Sequence, residues 1–549
     1  MHRAHVFSLV LGMPLAFVAC GGKSDGHDTA TESGGHPGAG SGAAGASAAG
    51  GQGAMSGAGG SGATGAAAGA AGRVATGGGG GSGGSNAGAP NAGRGGASGM
   101  GVGGTAGKGA SGNGGGAGKP AGGSGGSGPT LLDPPTKAQT WQYTSGDPLN
   151  STPPVLLAVD SDIVLAGASA DPTTVGVSAF PSGHTSEAFV LRLSQGKPLW
   201  SMPLTAAGLP WAVARSGDDV IIDAPYLPDA TQVSTSSVGQ AVYLGKFGLD
   251  GTKRSEVTVS FDYEWTATYG MAVDGSGNIY LAGSYLDTMG GEHVIVVKCD
   301  PNGTKLWEKP FPHPGTQALA FGVAVLTSGD IVVTGDFDVS LSFGGSTETL
   351  TVNGDLPTLP TGFIVRLTPD GDPVWSEQFG GADFAIGNAI TALGDGGFLL
   401  AGSNALDLSL GGLSAQGAPF TATDTQPYAP TAGFIARLDE GGKARWLALD
   451  QKTEFAYAVA TDGTGTAYLG TNGSVGADDY LHSYDLDTGK PQQALSGSDT
   501  SDIQTSSLAV APSGSVWLSG IYAMGADFGN ADVLESTPAG VFLIELAPK

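Results

Sequence analysis

Short runs of apolar residues, separated by turn-forming residues, follow one another from about residue 137 to residue 549. Within a run, apolar residues either alternate with polar ones or follow each other without interruption. Alternation with a period of two is typical of a strand with one buried face, and an uninterrupted apolar run fits a fully buried strand. No stretch shows a convincing 3.6-residue periodicity, and the pattern therefore predicts an all-β region.

The apolar runs recur in seven copies. One copy reads YGMAVDGSGNIYLAG (269–283) and HVIVVKCDPNGTKLWEK (293–309), and the next opens with FGVAVLTSGDIVVTG (321–335). Each copy holds four runs, joined by hairpin signals such as Pro369-Asp370-Gly371. Four strands per copy, at a spacing of about 59 residues, predict a seven-bladed β-propeller of four-stranded antiparallel blades. The other copies begin at residues 156, 211, 386, 457 and 508.

The two ends of the repeat region complement each other. The last copy stops at Leu546-Ala547-Pro548-Lys549, before the strand that carries Trp in other copies. The segment around Trp141, which precedes the first copy, looks like that missing strand. We therefore predict that this N-terminal strand completes the seventh blade and leaves no open sheet edge between the termini.

The repeats resemble the SBBP-type β-propeller repeats of secreted bacterial proteins over about residues 137–549. The second copy departs from that pattern, since Arg215 replaces the Asp and no Trp follows Gly251. The resemblance implies a propeller fold and export, and because the family carries no defined catalytic residues, none is transferred. The best matches, in the third copy, are Val273-Asp274, Gly277-Asn278 and Trp307.

The first residues indicate a targeting signal. An apolar run of fourteen residues from Val6 to Ala19 is too short to span a membrane, which takes about 20 residues, and has the build of a secretory signal peptide at 1–19. Phe17-Val18-Ala19-Cys20 resembles the lipobox of bacterial lipoproteins, which implies cleavage before Cys20 and lipid attachment to its thiol. With no Asp directly after Cys20, the resemblance implies export and anchoring to the cell envelope, at the outer membrane. The alternative is an ordinary signal peptide followed by a chance cysteine.

A segment rich in Gly, Ala and Ser follows Cys20, and no Phe, Trp or Tyr occurs between Val18 and Trp141. Such a composition cannot bury enough apolar surface to offset the entropy of ordering the chain. The sequence therefore predicts three regions: the signal peptide at 1–19, a lipid-anchored disordered linker at 20–136, and the propeller at 137–549.

The net charge of the chain limits which classes of binding partner are expected. The chain has 23 Lys and Arg against 49 Asp and Glu, a formal net charge of −26. Binding of nucleic acid needs a basic stripe, so nucleic acid is not an expected partner. The acidic balance suits a soluble exported surface, or alternatively a face for cations or basic partners. We expect a monomer whose membrane contact is its lipid anchor.

The sequence contains few residue patterns that indicate catalysis or metal binding. The histidines of the repeat region lack metal-ligand spacing, and Cys299 stands alone in a predicted strand. Asp485-Leu486-Asp487-Thr488-Gly489 lacks the closing ligands of a calcium loop and predicts a hairpin turn. We therefore expect no catalytic residue, no metal and no cofactor. The Trp residues at one phase of the repeat predict packing between blades, and Asp160, Asp274 and Asp462 predict turns.

The connections are less uniform than the strands. Between the second and third strands the connection is long in five copies, and it shares a face with the links between successive blades. Long loops on a rigid scaffold commonly carry binding, although aromatic residues there can also cap the core. The candidate ligand-binding residues on this face are Trp265 and Phe384 first, followed by Tyr263, Phe311 and His313.

These observations favour a surface-tethered lipoprotein whose propeller is a non-enzymatic scaffold for a protein or glycan ligand. One alternative is a propeller enzyme, a glycoside hydrolase or lyase, which would need carboxylates converging in the central channel, about 5–10 Å apart for hydrolysis. Another is a structural envelope component without a specific ligand.

Overall fold

A computed structural model describes part of the chain. The signal peptide, Cys20 and most of the predicted linker lie outside the described residues. No helix occurs in the described part, and so none there is long and apolar enough to cross a membrane. The described residues are 105–107, 110–111, 131–134, 140–143, 153–169, 174–175, 178–179, 187–204, 206–227, 241–263, 265–352, 359–381, 384–417, 431–451, 453–473, 479–497, 503–523, 526–529, 533–534 and 539–549.

The all-β prediction is confirmed, and the architecture is propeller-like: four-stranded antiparallel sheets follow one another along the chain. We number the sheets in chain order, and number the strands of each sheet one to four. Sheet 1 consists of Val155–Val159, Asp162–Ser169, Glu187–Ser194 and Lys197–Leu204; sheet 2 of Ala212–Ser216, Asp219–Pro225, Ala241–Gly248 and Lys253–Ser260; sheet 3 of Trp265–Val273, Ile279–Leu286, Glu292–Cys299 and Lys305–Phe311.

The remaining sheets repeat the same order of pairing, in which each strand bonds to the next. Sheet 4 consists of Ala318–Val325, Ile331–Phe337, Thr361–Leu367 and Pro373–Phe379; sheet 5 of Ala385–Ala392, Phe398–Ala405, Thr431–Leu438 and Ala444–Asp450; sheet 6 of Thr453–Thr461, Thr466–Gly473, Asp479–Asp485 and Pro491–Ser496; sheet 7 of Gln504–Val510, Val516–Ala523, Ala539–Leu546 and, from the N-terminal side, Thr140–Tyr143.

The fourth strand of sheet 7 is the one predicted from the ends of the repeat region. Thr140–Tyr143 runs antiparallel to Ala539–Leu546, with Trp141 opposite Leu543. The predicted pairing of the two ends of the domain is therefore present.

The chain is also held at a point inside the predicted linker. Leu132 forms a β-bridge with Pro548. Its backbone N–H donates to Gln493 Oε1, and Gln493 Nε2 donates to its backbone carbonyl, both at 2.8 Å. Its side chain, 1% exposed, belongs to the hydrophobic cluster between sheets 6 and 7. Short strands at Thr105–Gly107 and Ala110–Ser111 lie in the same predicted linker and pair with the first strands of sheets 3 and 7.

The core is divided into hydrophobic clusters, each lying between two successive sheets. The period of two explains this, because neighbouring residues of a strand point to opposite faces. In sheet 3, Met271 packs against sheet 2 and Ala272 packs against sheet 4. One further cluster joins sheet 7 to sheet 1, where the Ser519 hydroxyl donates to the Pro154 carbonyl at 2.5 Å.

The sheets have two unlike ends. At the tight-turn face, short turns join strand one to strand two and strand three to strand four. At the long-loop face lie the connections from strand two to strand three and from each sheet to the next. In the described part of the chain, four of the long connections contain a two-stranded hairpin of their own: Thr174–Val175 with Ser178–Ala179, Ser340–Leu341 with Leu350–Thr351, Leu408–Leu410 with Leu413–Ala415, and Ala526–Asp527 with Val533–Leu534.

Candidate functional site

Four of the recurring tryptophans lie at the tight-turn face, and each joins its sheet to the next one. Each indole N–H donates to a backbone carbonyl in the turn between strands three and four of the following sheet. A guanidinium or ammonium group from the same sheet as the tryptophan donates to that same carbonyl. The indole bonds are Trp200 to Leu249 at 2.9 Å, Trp307 to Pro369 at 3.2 Å, Trp375 to Glu440 at 3.1 Å and Trp446 to Leu486 at 2.8 Å; the cations are Arg192, Lys298, Arg366 and Arg437.

The turn that receives each tryptophan requires glycine. Gly442 has a φ of 85°, and a Cβ there would lie 3.0 Å from the Trp375 ring. Only glycine combines that backbone conformation with such close approach of the ring. These tryptophans therefore pack one sheet against the next, as the repeat predicted.

The recurring carboxylates at this face are also structural. Asp274 accepts bonds from the backbone N–H groups of Ser276 and Asn278, both at 2.9 Å, and Asp462 caps the equivalent turn of sheet 6. Asp485 accepts from Thr488, so the predicted calcium-like string turns a hairpin. Among the described residues, no three His, Cys, Asp or Glu side chains are placed to hold a metal ion.

The predicted ligand residues differ in how they are placed. Trp265, the first residue of sheet 3, is 46% exposed. Tyr263 is half-buried and stacks on Tyr285, with ring centroids 3.9 Å apart. Phe384 is half-buried and meets Phe455 edge-on at 6.5 Å. Of this set, Trp265 offers the most ring surface to a ligand.

Phe311 and His313 are placed differently, because both are buried. Phe311 packs edge-on against Phe343 at 5.0 Å, inside the cluster between sheets 3 and 4. His313 bonds to His293, as described next. Neither ring is presented to a ligand, because each is buried against a neighbouring ring, Phe311 against Phe343 and His313 against His293.

Four side chains form a hydrogen-bonded chain at the long-loop face between sheets 3 and 4, here called the His–Asp cluster: Asp287, His293, His313 and Asp338. His293 Nδ1 lies 2.9 Å from His313 Nδ1. Each Nε2 faces a carboxylate, with His293 3.1 Å from Asp287 and His313 2.9 Å from Asp338. The backbone N–H of His313 also donates to His293 Nδ1, at 3.3 Å.

Local structure positions both carboxylates. Backbone bonds from Gly291 and Met289, together with His293, lower the pKa of Asp287 to about 2. Burial alone would raise the pKa of Asp338, but bonds from His313, Thr316 and Gln317 outweigh it and lower that pKa to about 2. Both groups are therefore ionised acceptors at neutral pH.

Two further acids lie behind this cluster. Asp336 has no exposed surface, and burial raises its pKa to about 8, although Gln317 donates to it at 3.1 Å. Burial also raises the pKa of Glu292. The negative charge of Glu292 in turn contributes to the raised pKa of Asp336. Perturbed acids often mark active sites. Here, however, the carboxyl of Asp336 is sealed from solvent, so Asp336 is not presented to a substrate.

Sequence reasoning missed this arrangement. Its members lie six, twenty and twenty-five positions apart along the chain and match no motif. The one local signal was Pro312-His313-Pro314, a rigid segment that restricts where the His313 ring can lie. Next to Asp338, Val339 has a φ of 59°, which is strained for a β-branched residue.

No family model and no curated protein matches the chain. Solved structures with some likeness include a puromycin hydrolase mutant (13% identity, 68% of this chain, TM-score 0.35), a glucose dehydrogenase (12% identity, 62% of this chain and 97% of that chain, TM-score 0.34) and a mutant of Synechocystis apocarotenoid oxygenase (10% identity, 76% and 95%, TM-score 0.35). The chain covers 59% of the puromycin hydrolase. TM-scores this low do not establish a shared activity.

Proposed function

We propose that this chain is an exported, lipid-anchored protein whose seven sheets are the blades of a closed seven-bladed β-propeller. The propeller is a non-enzymatic scaffold that binds a protein or a glycan at its long-loop face. The ring is supported by the order of the hydrophobic clusters, which runs through successive sheets and returns from sheet 7 to sheet 1.

The anchor rests on the lipobox-like Phe17-Val18-Ala19-Cys20 and the Gly-rich linker that follows it. Acylation of this kind, with several chains, gives stable membrane attachment, since one chain alone binds marginally. In cells, Cys20→Ser should abolish palmitate labelling and move the protein into the soluble fraction. Unchanged labelling of that variant would exclude the anchor.

One observation carries the ligand-binding part: Trp265 is an exposed tryptophan at the end of a rigid sheet. Four tryptophans at the tight-turn face are bonded to the next sheet, whereas Trp265 is 46% exposed. An exposed indole on a preformed surface can stack on a sugar ring or fill a partner's pocket, and such anchors often dominate the binding energy.

A glycan array, run with the intact protein, Trp265→Ala and Leu306→Ala, tests this. Leu306 is a matched control, because it is an exposed apolar residue of the same sheet, near the tight-turn face. For any glycan that the intact protein binds, we expect Trp265→Ala to weaken binding at least tenfold and Leu306→Ala to leave binding unchanged.

Equal binding by all three proteins would place the ligand elsewhere. If the array is silent, the same three proteins are compared in a pull-down from cell-envelope extract, and only a partner that depends on Trp265 supports the proposal. Release of new reducing ends from a bound polysaccharide would favour the hydrolase alternative over a scaffold.

A further inference from the structure

We infer that the His–Asp cluster is a pH-sensitive latch between sheets 3 and 4. It holds the connection at residues 312–317 while its two imidazoles share a single positive charge, and it releases that connection when a second proton binds. This inference does not depend on the identity of any ligand.

The number of protons follows from the geometry. Asp287 and Asp338 are ionised and can only accept, so both Nε2 atoms must carry a proton. The contact between the two Nδ1 atoms at 2.9 Å has room for one proton. The pair therefore holds three ring protons, one more than two neutral rings hold.

The position of the shared proton also follows. His293 Nδ1 already accepts the backbone N–H of His313, so it is the acceptor of the ring contact as well. His313 is then the charged imidazolium, with both nitrogens donating, and His293 is the neutral tautomer protonated on Nε2. These protonation states are assigned from the hydrogen bonds.

The cluster holds several segments of chain together. His293 lies in a central strand of sheet 3, whereas His313 lies in the connection to sheet 4. The backbone N–H groups of Thr316 and Gln317 donate to Asp338, at 2.9 and 3.2 Å. A further proton, taken from solvent onto His293 Nδ1, would place the Nδ1–H of His293 opposite the Nδ1–H of His313, with no acceptor between them. Since His293 is fixed in its strand, the connection that carries His313 is the part that moves.

Other titratable groups surround the pair. The Tyr285 ring lies 5.1 Å from His293 and itself stacks on Tyr263, while Glu292 precedes His293 in its strand. Asp336 stands two residues before Asp338, near Glu292. Burial raises the pKa of Tyr285 to about 12, so this phenol stays neutral through the range in which the imidazoles titrate. Among these described groups, charge near the pair therefore changes through the carboxyl groups and the two rings.

Nitrogen-15 NMR of histidine-labelled protein tests the latch without any mutation. At pH 7 we expect one imidazolium, His313, beside one neutral Nε2-protonated ring, His293. As the second ring becomes charged in acid, amide exchange at Thr316 and Gln317, corrected for intrinsic rates, should accelerate at least tenfold. The amide of Val297, in the same strand as His293, should keep its protection.

Two neutral rings at pH 7, or unchanged protection once both rings are charged, would overturn the inference. The variant His313→Gln should show the fast exchange at every pH. As a control, His482→Gln removes a buried histidine held between Asp450 and Asp479, and it should leave exchange at Thr316 and Gln317 dependent on pH as in the unmodified protein.

Discussion

The tight-turn face and the long-loop face differ in whether the contacts between successive sheets repeat along the chain. At the tight-turn face, four sheets meet their neighbours through the same bond from an indole to a turn carbonyl. At the long-loop face, one contact between sheets 3 and 4 is the His–Asp cluster, formed from residues at unrelated phases of the repeat.

The difference has a physical cause. Each sheet presents a similar edge to the next one, so the same residue types satisfy the same geometry in several copies. Contacts that recur in this way report packing. A contact that occurs in one copy answers a local requirement, which is why the non-repeated features of the long-loop face are the place to look for binding and regulation.

The largest effect on stability is expected where the two ends of the repeat region pair with each other. Deleting residues 21–146 removes Leu132 and the strand Thr140–Tyr143, whereas deleting 21–128 keeps both. Burial of Leu132 alone is worth about 2–5 kcal/mol, and the exposed edge of sheet 7 adds to that loss. Thermal unfolding should show a much lower Tm for the longer deletion, and equal Tm values would mean that these contacts do not close the domain.

The next largest effect concerns a repeated contact. Trp446 is buried and bonded to the turn of sheet 6, so Trp446→Ala should lower the free energy of unfolding by about 3–5 kcal/mol. Denaturant titration measures this. Leu306→Ala, at an exposed residue, should change stability by less than about 0.5 kcal/mol. Similar losses for both variants would show that the repeated tryptophans do not carry the packing between sheets.

A smaller, pH-dependent effect is expected from the acid behind the long-loop face. The pKa of Asp336 is about 8 in the folded protein, against an ordinary value of 3.8. Between these values the folded state keeps a proton that the unfolded state loses, so rising pH destabilises the fold by up to about 1.4 kcal/mol per pH unit. Asp223, with a pKa raised to about 7 by burial, acts in the same direction.

Asp336→Asn should remove the part of this slope that Asp336 contributes and stabilise the protein toward pH 8. Free energies of unfolding between pH 5 and pH 8 are the measurement. Asp372→Asn, at a carboxylate that is 72% exposed, should leave the slope unchanged. A variant slope equal to that of the unmodified protein would mean that this carboxyl is ionised in the fold.

The smallest effect on stability is expected at Trp265. Because 46% of Trp265 is exposed, Trp265→Ala should lower the free energy of unfolding by about 1 kcal/mol, well below the loss expected for Trp446→Ala. Chemical denaturation beside Trp446→Ala gives a direct contrast between a tryptophan of each face. A loss of several kcal/mol at Trp265 would identify it as a packing residue and remove the basis for the proposed ligand site.

Much of the fold could be read from the amino-acid sequence, because its causes are local. A period of two predicts strands, Asp-Gly and Asn-Gly pairs predict tight turns, and regular repetition predicts similar sheets. The strand around Trp141 was identified from its likeness to the other copies, and it pairs as expected. The role of the recurring tryptophans followed from their phase. Leu132 was missed, since the isolated pair Leu131-Leu132 at the end of a Gly-rich segment carries no periodic signal.

The candidate site was decided by tertiary structure. Trp265 and Phe311 look alike in the sequence, both aromatic residues at the ends of strands, yet one is exposed and the other is buried. Their burial depends on how the link between two sheets folds over the core. The His–Asp cluster joins residues from four chain segments, and the pKa of Asp336 is set by its removal from water. Local pattern determines which segments become strands and turns, whereas distance and desolvation between segments, which exist only in the folded chain, determine which side chains share a proton.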